Sequence, residues 1–405
     1  MEKYLGNKDY VLFKNREFKD FCIYRLIFGI SYSFMIPVIP LFLKSMGMET
    51  VTIGVVISLY GVSKTLTQIP FGIISDYIGD KLALKLTLFF MTFIPVGYVF
   101  ADTNFTAGSL YVLQGAVLGM AAPATYSILA RTLDSNKRGE CTGIAAAVFT
   151  FGGGIGAAIA GFIVTKLNSY NMVFYISSFG IFIALLYVIF NVRKIKTVKE
   201  RSKNNSEKKI KKILHEISQN NLGYKIVILA SSAFLGDYIY SCVVALFHFY
   251  GQEVLGVSTV YTSSIISIYL LVFGMGAPIA GYVSDRIGNR IQFFFSFALM
   301  DLTLLGLIIT RSIPVFTVTI IMYFLGATFL NAALQSSLSE FGANPRIKGF
   351  VFGVVGASES LGYAVGPLIS AVIYSSNKNY LFLGLLLVSV LVSSLYILFF
   401  NKAKI

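Results

Sequence analysis

Tryptophan is absent, histidine occurs twice and cysteine three times in 405 residues, and only 13% of the chain is charged. Each shortage excludes something. Cys22, Cys141 and Cys242 are odd in number and far apart, which argues against a disulfide framework. Two histidines and three scattered cysteines give no zinc-ligand spacing, so no metal site is expected. There is no P-loop and no nucleophile elbow, so an enzyme is not expected, and no cofactor. A soluble domain carries about 25% charged residues, so a water-exposed surface on all sides is excluded. With no Trp, any aromatic belt at the membrane boundary must come from Tyr and Phe.

What the chain has in excess is apolar sequence: 56% of residues are hydrophobic and the mean hydropathy is +0.75. A helix crosses the hydrocarbon core with about 20 apolar residues. On that measure the spans fall near 21–43, 51–74, 86–101, 107–130, 141–165, 171–191, 225–249, 257–281, 291–310, 313–337, 350–374 and 380–400. The first twenty residues mix both signs of charge and lack the apolar core and cleavage site of a secretory leader, so the first span is expected to stay as a helix. The expected fold class is all-α integral membrane: twelve transmembrane helices in two pseudo-symmetric six-helix bundles.

An even span count puts both termini on one side. That side holds 28 of the 33 Lys and Arg residues; the other side holds Lys44, Lys166, Arg311 and Lys378, and Lys64 lies inside a span. The positive-inside rule then places both termini in the cytoplasm, in a multi-pass protein of the cell membrane. The net charge of +14 is thereby a topology signal, and nucleic acid is not an expected partner. The polar stretch 192–224 divides the chain into halves 1–191 and 225–405. Within it Ile210, Ile213, Leu214 and Ile217 keep helical spacing among Lys208, Lys209, Lys211 and Lys212. That pattern fits either a basic amphipathic helix on anionic lipid or a solvated linker.

The halves repeat. Gly72, Asp76, Gly79 and Lys81 after span two recur as Gly281, Asp285, Gly288 and Arg290 after span eight, with Arg286 added beside Asp285. Gly139, Gly143, Gly152 and Gly156 recur, at one common offset, as Gly349, Gly353, Gly362 and Gly366. Two parallel six-helix halves related by an axis along the membrane normal follow. The Gly-x-x-x-Asp-x-x-Gly-x-Lys/Arg loops, the segment from Pro37 to Pro40 with Gly47 beyond it, Gln114-Gly115 in span four and Gly366-Pro367 in span eleven resemble the major facilitator superfamily. They are most similar to its twelve-helix drug:proton antiporters. That resemblance implies a secondary transporter driven by a proton or ion gradient, acting as a monomer on a small-molecule substrate in membrane lipid. It also implies that the repeated loops gate the cytoplasmic side. Two positions differ from the antiporter pattern, Tyr111 where many members carry Arg and Ala157 where Pro is common. An uptake symporter, a facilitator and a lipid flippase therefore stay open beside export.

Ionisable side chains in mid-membrane need a reason. Lys64, Asp237, Asp301 and Glu359 each lie about 15–18 Å from the cytoplasmic helix end, counted at helical rise. They are the candidates for proton coupling or substrate binding. Lys64 and Glu359 face each other in the superfamily's arrangement and are expected to pair. Asp237 is expected at the central cavity, and Asp301 in a structural role. In the repeat, Lys64 corresponds to Phe273 and Glu359 to Phe149, so both charges are additions to it. Further cavity candidates are Arg25, Tyr32, Tyr111, Gln114, Tyr126, Asn331 and Gln335.

Overall fold

Two glycines of the repeated loop make the first joints of the fold. Gly79 has φ 90° and Gly288 φ 84°, a backbone region that penalises a Cβ. Each is the single residue between two long helices: α3 (Thr50–Ile78) and α4 (Asp80–Val99), and α9 (Thr259–Ile287) and α10 (Asn289–Ile309). The repeat in sequence is a repeat in backbone geometry.

The structure, a computed structural model, describes residues 15–132, 138–192, 215–219, 222–341 and 347–399. The remaining helices are α1 (Arg16–Ser33), α2 (Val38–Ser45), α5 (Asn104–Thr132), α6 (Arg138–Leu167), α7 (Tyr170–Phe190), α8 (Gly223–Glu253), α11 (Ile313–Glu340), α12 (Lys348–Ser376) and α13 (Leu381–Phe399). A 3-10 turn, Lys378–Tyr380, precedes α13. Counting α1 with α2 as one span, eleven spans are long and apolar enough to cross a membrane. The twelfth is α12, whose 29 residues include Glu359 and five glycines that dilute its hydropathy. Most of the linker falls outside the described residues. Its last part, 215–219, is helical, with Ile217 buried.

Several boundaries depart from the apolar runs: the helices of spans two and eight run on through the repeated motif to Ile78 and Ile287. Span one is broken between Ser33 and Val38. Pro37 has no N–H to donate, and a proline ring displaces the carbonyl one turn back. The chain turns there through short-range bonds, Met35 N–H to the Tyr32 carbonyl and Val38 N–H to the Met35 carbonyl. Span three begins at Asp80, ahead of its apolar run. Its polar first turn lies beyond the apolar stretch, and Lys81 Nζ donates to the Ile189 carbonyl at the end of α7 (3.0 Å).

The glycines shared by α6 and α12 have matching work. A Cβ on Gly152 or Gly156 would run into the α1 backbone at Leu26 and Ile30, and one on Gly362 into the α8 backbone at Phe234. Each half thus draws its first helix against its fifth at backbone distance, as small residues allow where lipid supplies no hydrophobic force. Between halves there are two seams, α3 against α12 and α6 against α9. Away from the termini both are tight: Gly54 meets Ala371 and Pro367, and Gly161 meets Ser263. At the termini end, Gly353 and Gly356 of α12 face open space. The halves therefore touch at the end opposite the termini and part toward the termini.

Candidate functional site

The parting halves enclose a central cavity of about 280 Å³, near the lower end of the range for small-molecule sites. Six tyrosines line it. Tyr32 of α1 and Tyr60 of α3 share a hydroxyl hydrogen bond of 2.6 Å. Tyr60 stacks on Tyr111 of α5 with ring centroids 4.7 Å apart. It also touches Tyr363 of α12 at 5.6 Å, across the seam. Tyr363 continues to Tyr240 of α8 at 6.0 Å, and Tyr240 stacks on Tyr269 of α9 at 5.7 Å. Ring contacts thus run unbroken from one half into the other.

Three of the four mid-membrane charges open onto this cavity: Lys64, Asp237 and Glu359. The ion pair expected between Lys64 and Glu359 is not made. The Lys64 ammonium lies instead 5.7 Å from the ring centroid of Tyr363, one helical turn beyond Glu359 on the same helix. An ammonium over a ring face is attracted by the ring quadrupole. The repeat partners of the two charges, Phe273 and Phe149, line the cavity as well. The pseudo-symmetry therefore holds in position while the chemistry differs.

Asp301 sits apart. It follows the cavity residue Met300 on α10 but accepts hydrogen bonds from Ser389 and Ser393 of α13, the latter at 2.9 Å. Its carboxylate ties two helices of one half together. Of the remaining candidates, Tyr32, Tyr111, Gln114 and Asn331 line the cavity. Gln114 also accepts a hydrogen bond from Tyr98 (2.7 Å), which fixes its amide. Arg25 lies outside the cavity lining, with its guanidinium 4.1 Å from the centroid of the Phe149 ring. Gln335 is exposed and also outside it. Tyr126 lies on α5, but its side chain is outside the described residues, as are those of Asp76 and Asp285. Of the other residues of the repeated motif, Arg286 lies over the Tyr282 ring at 4.4 Å, and the Arg290 carbonyl accepts from Tyr396 (2.6 Å).

Sequence reading misses Tyr60, Tyr240, Tyr269 and Tyr363. A signal for three of them exists: each charge on the cavity wall has a tyrosine about one turn away on its own helix, Tyr60 before Lys64, Tyr240 after Asp237 and Tyr363 after Glu359. Helical spacing of three or four puts such pairs on one face. Tyr269 has no such marker.

A second polar cluster closes the end opposite the termini. Glu253, last residue of α8, takes Lys378 at 2.8 Å and a hydrogen bond from Tyr374 at 3.1 Å, both within its own half. From the other half Lys44, at the end of α2, reaches Glu253 at 3.9 Å and lies 5.4 Å from the Phe249 ring centroid. Among the described residues no group of three or more His, Cys, Asp or Glu is placed to hold a metal ion.

Two related helical bundles that part around a shared central cavity define a membrane carrier. The chain belongs to the Major Facilitator Superfamily, which it matches over residues 21–346 and 263–404. It is 24% identical to Multidrug resistance protein 2 of Bacillus subtilis, over 86% of each chain. It is also 24% identical to the quinolone resistance protein NorA of Staphylococcus aureus, over 87% of this chain and 88% of that one. An uncharacterized MFS-type transporter of Methanocaldococcus jannaschii is 24% identical over 52% of this chain, a match spanning only 55% of that relative's length. In three dimensions the chain is similar to the nucleoside transporter NupG (TM-score 0.73, 14% identity, 95% of this chain and 99% of that one). It is also similar to the human organic anion transporter MFSD10 (TM-score 0.69, 16% identity, 96% and 99%). These establish the fold. The protein is a multi-pass integral membrane protein and a secondary transporter of small molecules, in a family of carriers rather than catalysts.

Proposed function

We propose that the chain exports amphipathic cations in exchange for protons, in the manner of the drug:proton antiporters. The observation that carries this reading is the shared cavity wall of two carboxylates, Asp237 and Glu359, and a run of tyrosine rings. Rings and carboxylates are the chemistry that holds an organic cation in a dry site. A carboxylate there can also carry a proton, so substrate and proton compete for one group. Competition for one site is the simplest coupling for exchange: the cavity is occupied by one or the other in each crossing. The charge count supports cytoplasmic termini and a cell-membrane location. On that orientation the present conformation opens inward, ready to collect substrate from the cytoplasm. Halves 1–191 and 225–405 would rock about the cavity as one monomer, tethered by 192–224.

The test is proton release by detergent-purified protein on adding tetraphenylphosphonium. Wild type is expected to release protons on binding, and Asp237→Asn or Glu359→Gln to lose that release. Cation binding to wild type without proton release would sink antiport and favour a facilitator.

A further inference from the structure

The charges on the cavity wall do not balance. Lys64 supplies one positive charge, and Asp237 and Glu359, when ionised, one negative charge each. The three are close enough to act on one another through space. Lys64 is nevertheless in salt-bridge contact with neither carboxylate, and its ammonium occupies a place against Tyr363 where a bound cation would also be attracted. What the wall presents to a ligand is therefore one unmatched negative charge. In a medium of low dielectric an uncompensated charge is costly. One monovalent cation, or one proton, cancels it. A dication overshoots by one charge and a neutral molecule leaves it standing. The repeat places Phe273 at the position matching Lys64, also on the cavity wall. The wall can therefore be built at this position without a charge.

We propose that Lys64 sets the valence of the substrate: it acts as a tethered cation that offsets one carboxylate and restricts the cavity to one positive charge at a time. This rests on the cation-export reading above. Removing the ammonium would leave two negative charges, which a dication matches and a monocation only half satisfies.

The experiment compares equilibrium binding of tetraphenylphosphonium, a monocation, and dequalinium, a dication, to purified wild type, Lys64→Gln, Lys64→Arg and Glu359→Gln. Lys64→Gln is expected to shift the dication-to-monocation affinity ratio toward the dication by about tenfold or more, as one added unit charge would do at an effective dielectric near 20. Lys64→Arg keeps the charge and is expected to keep the wild-type ratio. Glu359→Gln moves the wall charge the opposite way and is expected to weaken tetraphenylphosphonium binding by a similar factor, so the idea stays testable if Lys64→Gln does not fold. Both cations binding with a ratio unchanged in Lys64→Gln would overturn the valence assignment alone. Likewise, unchanged tetraphenylphosphonium affinity in Glu359→Gln would overturn it. Failure of tetraphenylphosphonium to bind wild type would overturn the export reading, and this assignment with it.

Discussion

At the scale of single residues, glycines in one helix have opposite surroundings and so opposite expected tolerance. Gly362 lies where a Cβ would meet the Phe234 carbonyl, which belongs to a helix backbone and cannot turn aside. Gly362→Ala is expected to destabilise by about 1–3 kcal/mol, the usual cost of overpacking. Gly356, on the same helix, has nothing within 4 Å of the same position. Gly356→Ala is expected to be neutral or to stabilise by up to about 1 kcal/mol, because alanine is the better helix former. Thermal unfolding of the two variants in one detergent checks both; equal melting temperatures would show that α12 does not approach α8 as described. The charged residues of the site are legible one by one in the sequence, because an ionisable group in an apolar run stands out against its neighbours. Their partners are not. A tyrosine in a chain with 24 of them carries no mark of whether it faces lipid or cavity. Only the spacing of Tyr60, Tyr240 and Tyr363 from a charge distinguishes them. The contact Lys64 makes with Tyr363 in place of Glu359 is a matter of rotamer and distance, on which composition and spacing are silent.

At the scale of elements, the contact between α2 and α8 is a weak clasp. Lys44 is 43% exposed and Glu253 27%, and their separation of 3.9 Å is at the loose end of an ion pair. Exposed pairs contribute about 0.2–1 kcal/mol. A clasp of that size holds one end shut without locking it, which suits a carrier that must open there in every cycle. Lys44→Ala is expected to raise the population open at the end opposite the termini by up to about fivefold. Spin labels at Glu49 and Val260, which flank that end of the two halves, would report this as added long-distance population. A distance distribution identical to wild type would show that packing along the seams, not the ion pair, closes that end. Most helices are legible in the sequence because each must hide about 20 peptide groups from lipid, which forces long apolar runs. Span one shows the limit. Its hydropathy continues through Pro37 and Pro40, so an apolar run alone conceals the break between α1 and α2. The prolines signal that break only when backbone donors are counted one at a time.

At the scale of the whole molecule, the seams packed away from the termini and the open termini end of α12 imply a second arrangement in which the contacts exchange. Gly54 and Gly61 of α3 pack against Pro367, Ala371, Tyr363 and Ala364 of α12 at and above the cavity. Below it, Gly353 and Gly356 present bare backbone to open space. Closing the termini end brings the lower part of α12 against the lower part of α3, which carries the repeated Asp76 motif. Glycine is the residue that permits such an approach between helices. Bulk at Gly353 should then leave the present conformation intact and obstruct the other. Overpacking costs about 1–3 kcal/mol, and in a two-state equilibrium that lowers the obstructed population by about 5–150-fold. Gly353→Leu is accordingly expected to bind tetraphenylphosphonium about as wild type does, because the cavity is untouched. Its exchange across proteoliposome membranes should slow by at least about fivefold. Binding and transport falling together would place Gly353 in the structure of the open state instead. Transport at the wild-type rate would mean that the halves close at the termini end without α12 meeting α3 there.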